Sequence, residues 1–425
     1  MDRVASTVSD ILDGIRETDG DVQAWVRIDE DAVQQQAQLI DGRLASGEDL
    51  PLAGLTVGIK DIIDVGGLPT AAGFAPFEDC AAERDAPVVA RLRRAGALIV
   101  GKTVTTQFAS SDPSKTKNPW NLERTPGGSS AGSAAAVSAH HVDLALGTQT
   151  GGSVLRPSAY CGIIGFKPGF GWTSTEGVVP FAASLDTIGI HSRTVVNAAR
   201  AYDVMARPGL PRAGTVEPIG PPRLAIWADA LANAGERMRD GVIDGLEALA
   251  NDGAVIQHTV APISFNNFIA IHTIVSRSEA AAAHAELIFK HPDEYQPKVR
   301  SMVETGLALP ADVYVRAQRM REQLRQETVD LWSPFDAIAI PTSQSVAPDL
   351  STTGNHSLQA VATLLGLPSI TLPIGFNPDY LPIGVQLIGT HPEADVKLLR
   401  VARWVEQHMP RLPRPPHGVQ QQKKQ

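Results

Sequence analysis

Three neighbouring runs decide the fold class: Leu55-Thr-Val-Gly-Ile59, Ala86-Pro-Val-Val-Ala-Arg-Leu-Arg-Arg-Ala95 and Ala97-Leu-Ile-Val100. The first and last are short and rich in β-branched residues, which suits buried strands. The middle run has helical spacing, with Pro87 near its start and Gly96 just past its end, the asymmetry that helices favour. Strand, helix, strand in that order predicts an α/β fold with crossover connections. Upstream, residues 1–50 read as a helical layer that packs on the rest. Downstream, residues 103–130 are loop-rich, with Asp112-Pro113, Asn118-Pro119 and Thr125-Pro-Gly-Gly128. Residues 131–139 are all small and predict a helix packed closely against other backbone. A strand from Val142 to Leu146 runs into the turn Thr150-Gly-Gly-Ser153. The region 200–330 reads as helical and variable. Strand patterns return at Asp336-Ala-Ile-Ala-Ile-Pro341 and Pro368-Ser-Ile-Thr-Leu-Pro373, and a helix over 393–407 closes the pattern. No linker interrupts the chain, so a single domain is expected over 1–410, with 411–425 a flexible tail by composition.

Composition narrows the function classes. The 425 residues hold 37 Lys+Arg against 46 Asp+Glu, a formal net charge of −9, which argues against binding nucleic acid through the overall field. Two cysteines, Cys80 and Cys161, cannot build a disulfide framework and suit a reducing compartment. The first residues lack the apolar core of a signal peptide, and no apolar run is long enough to cross a membrane. A cytoplasmic protein is expected.

Three segments could carry chemistry. Lys60 ends an apolar strand-like run; burial there would lower its pKa and make it a base, unless it pairs with Asp61 or Asp64. Thr125-Pro-Gly-Gly-Ser-Ser-Ala-Gly-Ser133 puts two serines at the mouth of a helix, where unpaired N–H groups attract anions. Residues 128–132 also match the G-x-S-x-G elbow, which would make Ser130 a nucleophile, but no strand precedes it. Gly147-Thr-Gln-Thr-Gly-Gly-Ser-Val-Leu-Arg-Pro157 offers successive backbone N–H groups around one hydroxyl, the makings of an oxyanion hole. No catalytic histidine can be matched to a serine. His140-His141 read as helix-surface residues, and His272 and His284 as members of an amphipathic helix. H-E-x-x-H, paired C-x-x-C and Walker patterns are missing, so neither metal nor cofactor is expected.

Together, a strand lysine, Pro-Gly-Gly-Ser-Ser-x-Gly-Ser, and Gly-Gly-Ser with Ser153 falling 24 residues after Ser129 resemble the amidase signature family. Gly58-Ile-Lys-Asp61, Ala159-Tyr-Cys-Gly162, Gly165-Phe-Lys-Pro168, Ser184-Leu-Asp-Thr-Ile-Gly189, Gly366–Pro373 and Leu381–Gly389 extend the likeness over most of the chain. The resemblance implies a single α/β domain with a large mixed sheet between helical layers, and an amidase cleaving a carbon–nitrogen bond. It implies Ser153 as nucleophile, Ser129 as a bridging serine held by a cis peptide, and Lys60 as base. Thr150, Gly151, Gly152 and Ser153 would form the oxyanion hole, and Gly128 and Ser130 would support substrate binding. Many members carry Asp where this chain has Gln149, and Arg two rather than three residues after the nucleophile. The variant here looks most like malonamidase-type enzymes, which implies that Arg156 binds a substrate carboxylate. The alternative is that Arg156 bonds an internal Asp or backbone carbonyls.

The partner expected is a small amide, with no nucleic acid and no membrane, and a homodimer is left open. Three other readings stay in view: the glutaminase-type subunit of a tRNA-dependent amidotransferase, an esterase or aryl acylamidase, and a non-catalytic binder.

Overall fold

The computed structural model describes residues 4–419. Its centre is one mixed sheet of eleven strands, flanked by helices, in a single domain. The strands are β1 (Trp25–Ile28), β2 (Thr56–Lys60), β3 (Leu98–Thr103), β4 (Leu144–Gln149), β5 (Ile164–Lys167), β6 (Thr187–Ser192), β7 (Arg223–Trp227), β8 (Val255–Thr259), β9 (Ala337–Pro341), β10 (Ser369–Phe376) and β11 (Pro382–Ile388). Their spatial order is β1-β3-β2-β4-β6-β5-β10-β11-β9-β7-β8.

The strand–helix–strand reading of residues 55–100 holds. β2 and β3 pair in parallel, connected through the helix Pro87–Arg94. β2 also pairs in parallel with β4 through the helix Ala131–Ser138. These two crossovers bury β2 completely, Lys60 included. From β4 to β9 the central pairings are antiparallel, and β9, β7 and β8 form a second parallel edge.

Four expectations need correction. The helical layer of 1–50 contains β1 between the helices Val4–Val22 and Glu30–Ala45, and β1 lies on the sheet edge beside β3. The helical region 200–330 contributes β7 and β8 to the same sheet. His141 is buried rather than exposed: Trp25 Nε1–H donates to its Nδ1 at 3.1 Å, and Nε2 meets Thr18 Oγ1 at 2.7 Å. The tail also differs over 411–419. The Val419 amide donates to the Ala139 carbonyl at 2.8 Å, and the His417 amide to Pro119 at 3.2 Å. Residues 420–425 of the expected tail lie outside the described residues.

The small residues of Ala131–Ser138 have a packing reason. All eight are buried. The Gly132 amide donates to the Val104 carbonyl at 2.9 Å, and a Cβ on Gly132 would collide with the Ala24 carbonyl oxygen and the Val104 amide. Alanine in a helix is ordinarily better than glycine by about 1 kcal/mol. Here overpacking of about 1–3 kcal/mol outweighs that gain. Gly132→Ala is therefore expected to lower the melting temperature; a rise would show that the helix can move away from β1 and β3.

Candidate active site

Lys60 ends β2 with its side chain fully buried. Its Nζ lies 2.7 Å from Ser129 Oγ and 2.8 Å from Thr148 Oγ1. No carboxylate pairs with it within salt-bridge distance among the described residues. Of the two expected alternative partners, Asp61 pairs with Lys102 at 3.1 Å, and Asp64 makes no ion pair with Lys60. Burial holds the Lys60 pKa well below the usual lysine range, opposed by the charge of Asp186. Asp186 is itself pushed up by burial, although it accepts hydrogen bonds from Thr150 Oγ1 and from the Phe181 and Ala182 amides. Both shifts work against charge at this spot and favour the neutral amine of Lys60.

Ser129 precedes the helix Ala131–Ser138, and the Gly128–Ser129 peptide is cis. Its carbonyl accepts from the Thr106 amide at 3.1 Å. Ser130 is fully buried, and its hydroxyl is taken by the Thr148 backbone, as donor to the carbonyl and acceptor from the amide, both at 3.3 Å. Neither Gly128 nor Ser130 lines a cavity that Ser153 lines, so the expected contact of these two with substrate is corrected to support of the loop. An elbow nucleophile at Ser130 fails on the same ground, and loop rather than strand precedes it.

Thr150, Gly151, Gly152, Ser153 and Arg156 do converge on one cavity, with Ala109–Ser111, Phe181, His272, Ser276, Met302 and His356. It leaves about 40 Å³ for the centre of a water molecule. It shares Ser111, His272, Ser276, Met302 and His356 with a wider vestibule of about 360 Å³, to which Arg277 and Lys298 contribute. Neither lining contains an acidic side chain. The Ser153 hydroxyl and the amides of Gly151, Gly152 and Ser153 make no hydrogen bond among the described residues. The turn runs tightly under the helix Ser357–Leu364: a Cβ on Gly152 would lie 3.0 Å from Gln359 Cδ and from His356 Cβ.

Gln149 accounts for the departure noted at that position. Its Oε1 accepts from the Val154 and Leu155 amides at 2.9 and 3.1 Å, satisfying the start of the helix Leu155–Tyr160, and its Nε2 donates to Thr363 Oγ1 at 3.0 Å. Arg156, on that helix, is 2% exposed and has no carboxylate partner among the described residues. Its guanidinium donates to the carbonyls of Gly128 at 2.6 Å and Gly354 at 3.0 Å, and its Nε has no partner among the described residues. Burial draws its pKa down to about 10, so it remains a cation at neutral pH. Its partners are those of the alternative reading, backbone carbonyls and not an internal Asp, with Thr353 Oγ1 as a third acceptor at 3.4 Å. The charge itself has no anion beside it among the described residues.

Sequence reading missed His272 and His356. His272 is buried and His356 half-buried; desolvation draws them down to about 4 and about 3, so both are uncharged at neutral pH, and both line the cavity. His272 Nε2 lies 2.9 Å from the Thr150 carbonyl. Position on an amphipathic helix was legible for His272; its contact 122 residues away was not.

The mixed sheet, the buried lysine–serine contact and the free glycine-turn amides suit a serine hydrolase whose base is a lysine. The chain belongs to the amidase family, hydrolases of carbon–nitrogen bonds, whose sequence profile matches residues 6–399. It is 33% identical over 462 aligned residues to the glutamyl-tRNA(Gln) amidotransferase A subunit of Roseiflexus sp. (strain RS-1), covering 95% of this chain and 94% of that protein. An amidase of solved structure superposes with a TM-score of 0.88 at 30% identity, covering 96% of each chain. The glutamyl-tRNA(Gln) amidotransferase A subunit of Thermotoga maritima gives 0.81 at 28% identity, covering 98% of this chain and 95% of that one. These relatives correct the expected partners. Proteins similar over nearly their full length are named as one subunit of an enzyme acting on a tRNA, so an expectation of small amides alone, without nucleic acid and at most as a homodimer, does not stand. Overall charge carries no information on assembly with other chains, which is where these relatives depart from the expectation. Among the described residues, no helix is long and apolar enough to cross a membrane.

The lowered pKa of Lys60 has a thermodynamic signature. The unfolded chain holds a proton on this lysine below its usual value near 10.5 and the folded chain does not until its own, lower pKa. Stability therefore rises with pH between the two, by up to ~1.4 kcal/mol per pH unit. Lys60→Met should remove one proton's worth of that slope in denaturation measurements across this window and leave the fold intact. An unchanged slope would mean that Lys60 is charged in the native protein.

Proposed function

We propose that the protein hydrolyses a small carboxamide bearing a carboxylate through an acyl-enzyme on Ser153. The observation that carries this reading is the 2.7 Å contact of the buried Lys60 with Ser129, on a loop whose Ser130 amide donates to the Ser153 carbonyl at 3.4 Å. Ser153 Oγ attacks the amide carbonyl while its proton passes to Ser129 and the Ser129 proton to Lys60 Nζ. The amides of Gly151, Gly152 and Ser153 receive the developing oxyanion. Collapse of the tetrahedral intermediate breaks the carbon–nitrogen bond; the leaving amine takes the proton from Lys60 through Ser129. Water then cleaves the acyl ester and restores Ser153. These steps use the chain's own side chains and backbone throughout.

The carboxylate follows from Arg156 and its surroundings. A buried guanidinium with an unpartnered Nε and no acid in either cavity lining suits a planar anion. Arg277 and Lys298 at the vestibule add to the same potential. The small volume beside Ser153 favours a short acyl chain.

A second reading has its own support in the 33% identity to an amidotransferase A subunit. In it the same half-reaction releases ammonia from glutamine, which also bears a carboxylate, for use by partner subunits.

Turnover of malonamate against neutral propionamide tests the first reading. Ser153→Ala should abolish acylation by both. Arg156→Ala should lower kcat/KM for malonamate by about 10- to 100-fold, the worth of a charged hydrogen bond, and leave propionamide within a few fold. Equal loss on both substrates would overturn the carboxylate anchor. Glutamine hydrolysis confined to mixtures with a partner subunit would favour the second reading.

A further inference from the structure

The Thr150 carbonyl and the Gly151 N–H belong to one peptide unit, and the Gly151 carbonyl and the Gly152 N–H to the next. Both peptides are trans, so carbonyl and N–H point in opposite directions in each. Whatever holds the two carbonyls therefore aims the two N–H groups.

Two side chains hold them. His272 Nε2 meets the Thr150 carbonyl at 2.9 Å. A carbonyl only accepts, so Nε2 carries the proton and the tautomer is fixed. The Thr363 hydroxyl donates to the Gly151 carbonyl at 3.1 Å. Its direction is set in turn by Gln149. The Gln149 Oε1 is occupied by the Val154 and Leu155 amides, so its Nε2–H must point to Thr363 Oγ1, at 3.0 Å. Thr363 thus accepts from one side and has its single proton for the other. The Gln359 carbonyl, at 3.4 Å, is the more distant competitor for that proton. A carboxylate at position 149 would have no N–H to give and would draw the Thr363 proton onto itself.

We infer that His272 and Thr363 are positioning residues that aim the Gly151 and Gly152 N–H groups at the oxyanion, with Gln149 directing the Thr363 proton. This rests on the reading of Ser153 as nucleophile. The clamp joins the helix Phe265–Lys290 and the helix Ser357–Leu364 to the glycine turn, from opposite parts of the sequence. It acts on the transition state more than on bound substrate, because only the oxyanion needs both N–H groups in place.

The test uses His272→Phe, Thr363→Val and Gln149→Glu in the full chain, with malonamate as substrate and a small alkylboronic acid as mimic of the tetrahedral adduct. Each is expected to lower kcat by about 10- to 100-fold, with KM within a few fold, and to weaken boronate binding in proportion. His272→Gln, which keeps an N–H donor, should recover most of the loss. Folded His272→Phe and Thr363→Val proteins with wild-type kcat and boronate affinity would overturn the clamp, as would losses confined to KM. If His272→Phe does not fold, Thr363→Val decides alone. The two levels separate cleanly: acylation surviving in Ser153→Ala removes the underlying reading, whereas inactive Ser153→Ala beside unimpaired clamp variants removes the clamp only.

Discussion

The contact between Lys60 Nζ and Ser129 Oγ sets the terms for the rest of the molecule. A lysine at the end of a central parallel strand, with no carboxylate beside it, is tolerable only as a neutral amine. To keep water away from it, the chain encloses β2 between β3 and β4 and lays the all-small helix Ala131–Ser138 against them. That helix must lie close, because the serine before it has to reach the lysine. Residues with any bulk on it would push Ser129 out of range. The acid whose charge acts on the lysine, Asp186, is itself raised by burial and tied to Thr150 and two backbone amides rather than to the lysine.

The second constraint is directional. A glycine turn can expose N–H groups to a cavity only if its carbonyls are satisfied on the far side. Here that far side is built from the helices Phe265–Lys290 and Ser357–Leu364, and His272 and His356 beside them also close the cavity. The elements that shape the acyl pocket and those that orient the turn are the same. Changes of substrate preference made on these helices will therefore reach the chemistry as well.

How much of this the sequence disclosed depends on range. Periodicity, Pro87 and Gly96 sufficed for the β2–helix–β3 unit, because these signals are local. β1 and β8 escaped: the first is four residues between helices, and the second is largely exposed and lies on the far edge of the sheet. The segments that bring Lys60 to Ser129 and Ser153 to the cavity were legible because motifs local in sequence mark them. The buried, carboxylate-free surroundings of Arg156 and the contacts of His272 and Thr363 were not. They join positions 122 to 212 residues apart, with no local pattern to announce them.

The most direct test of the account is a serine-directed fluorophosphonate followed by peptide mapping. A single modified serine, Ser153, is expected, with labelling lost in Lys60→Met and slowed as pH falls and Lys60 gains its proton. Modification of Ser129 or Ser130, or labelling of Lys60→Met at the wild-type rate, would contradict it.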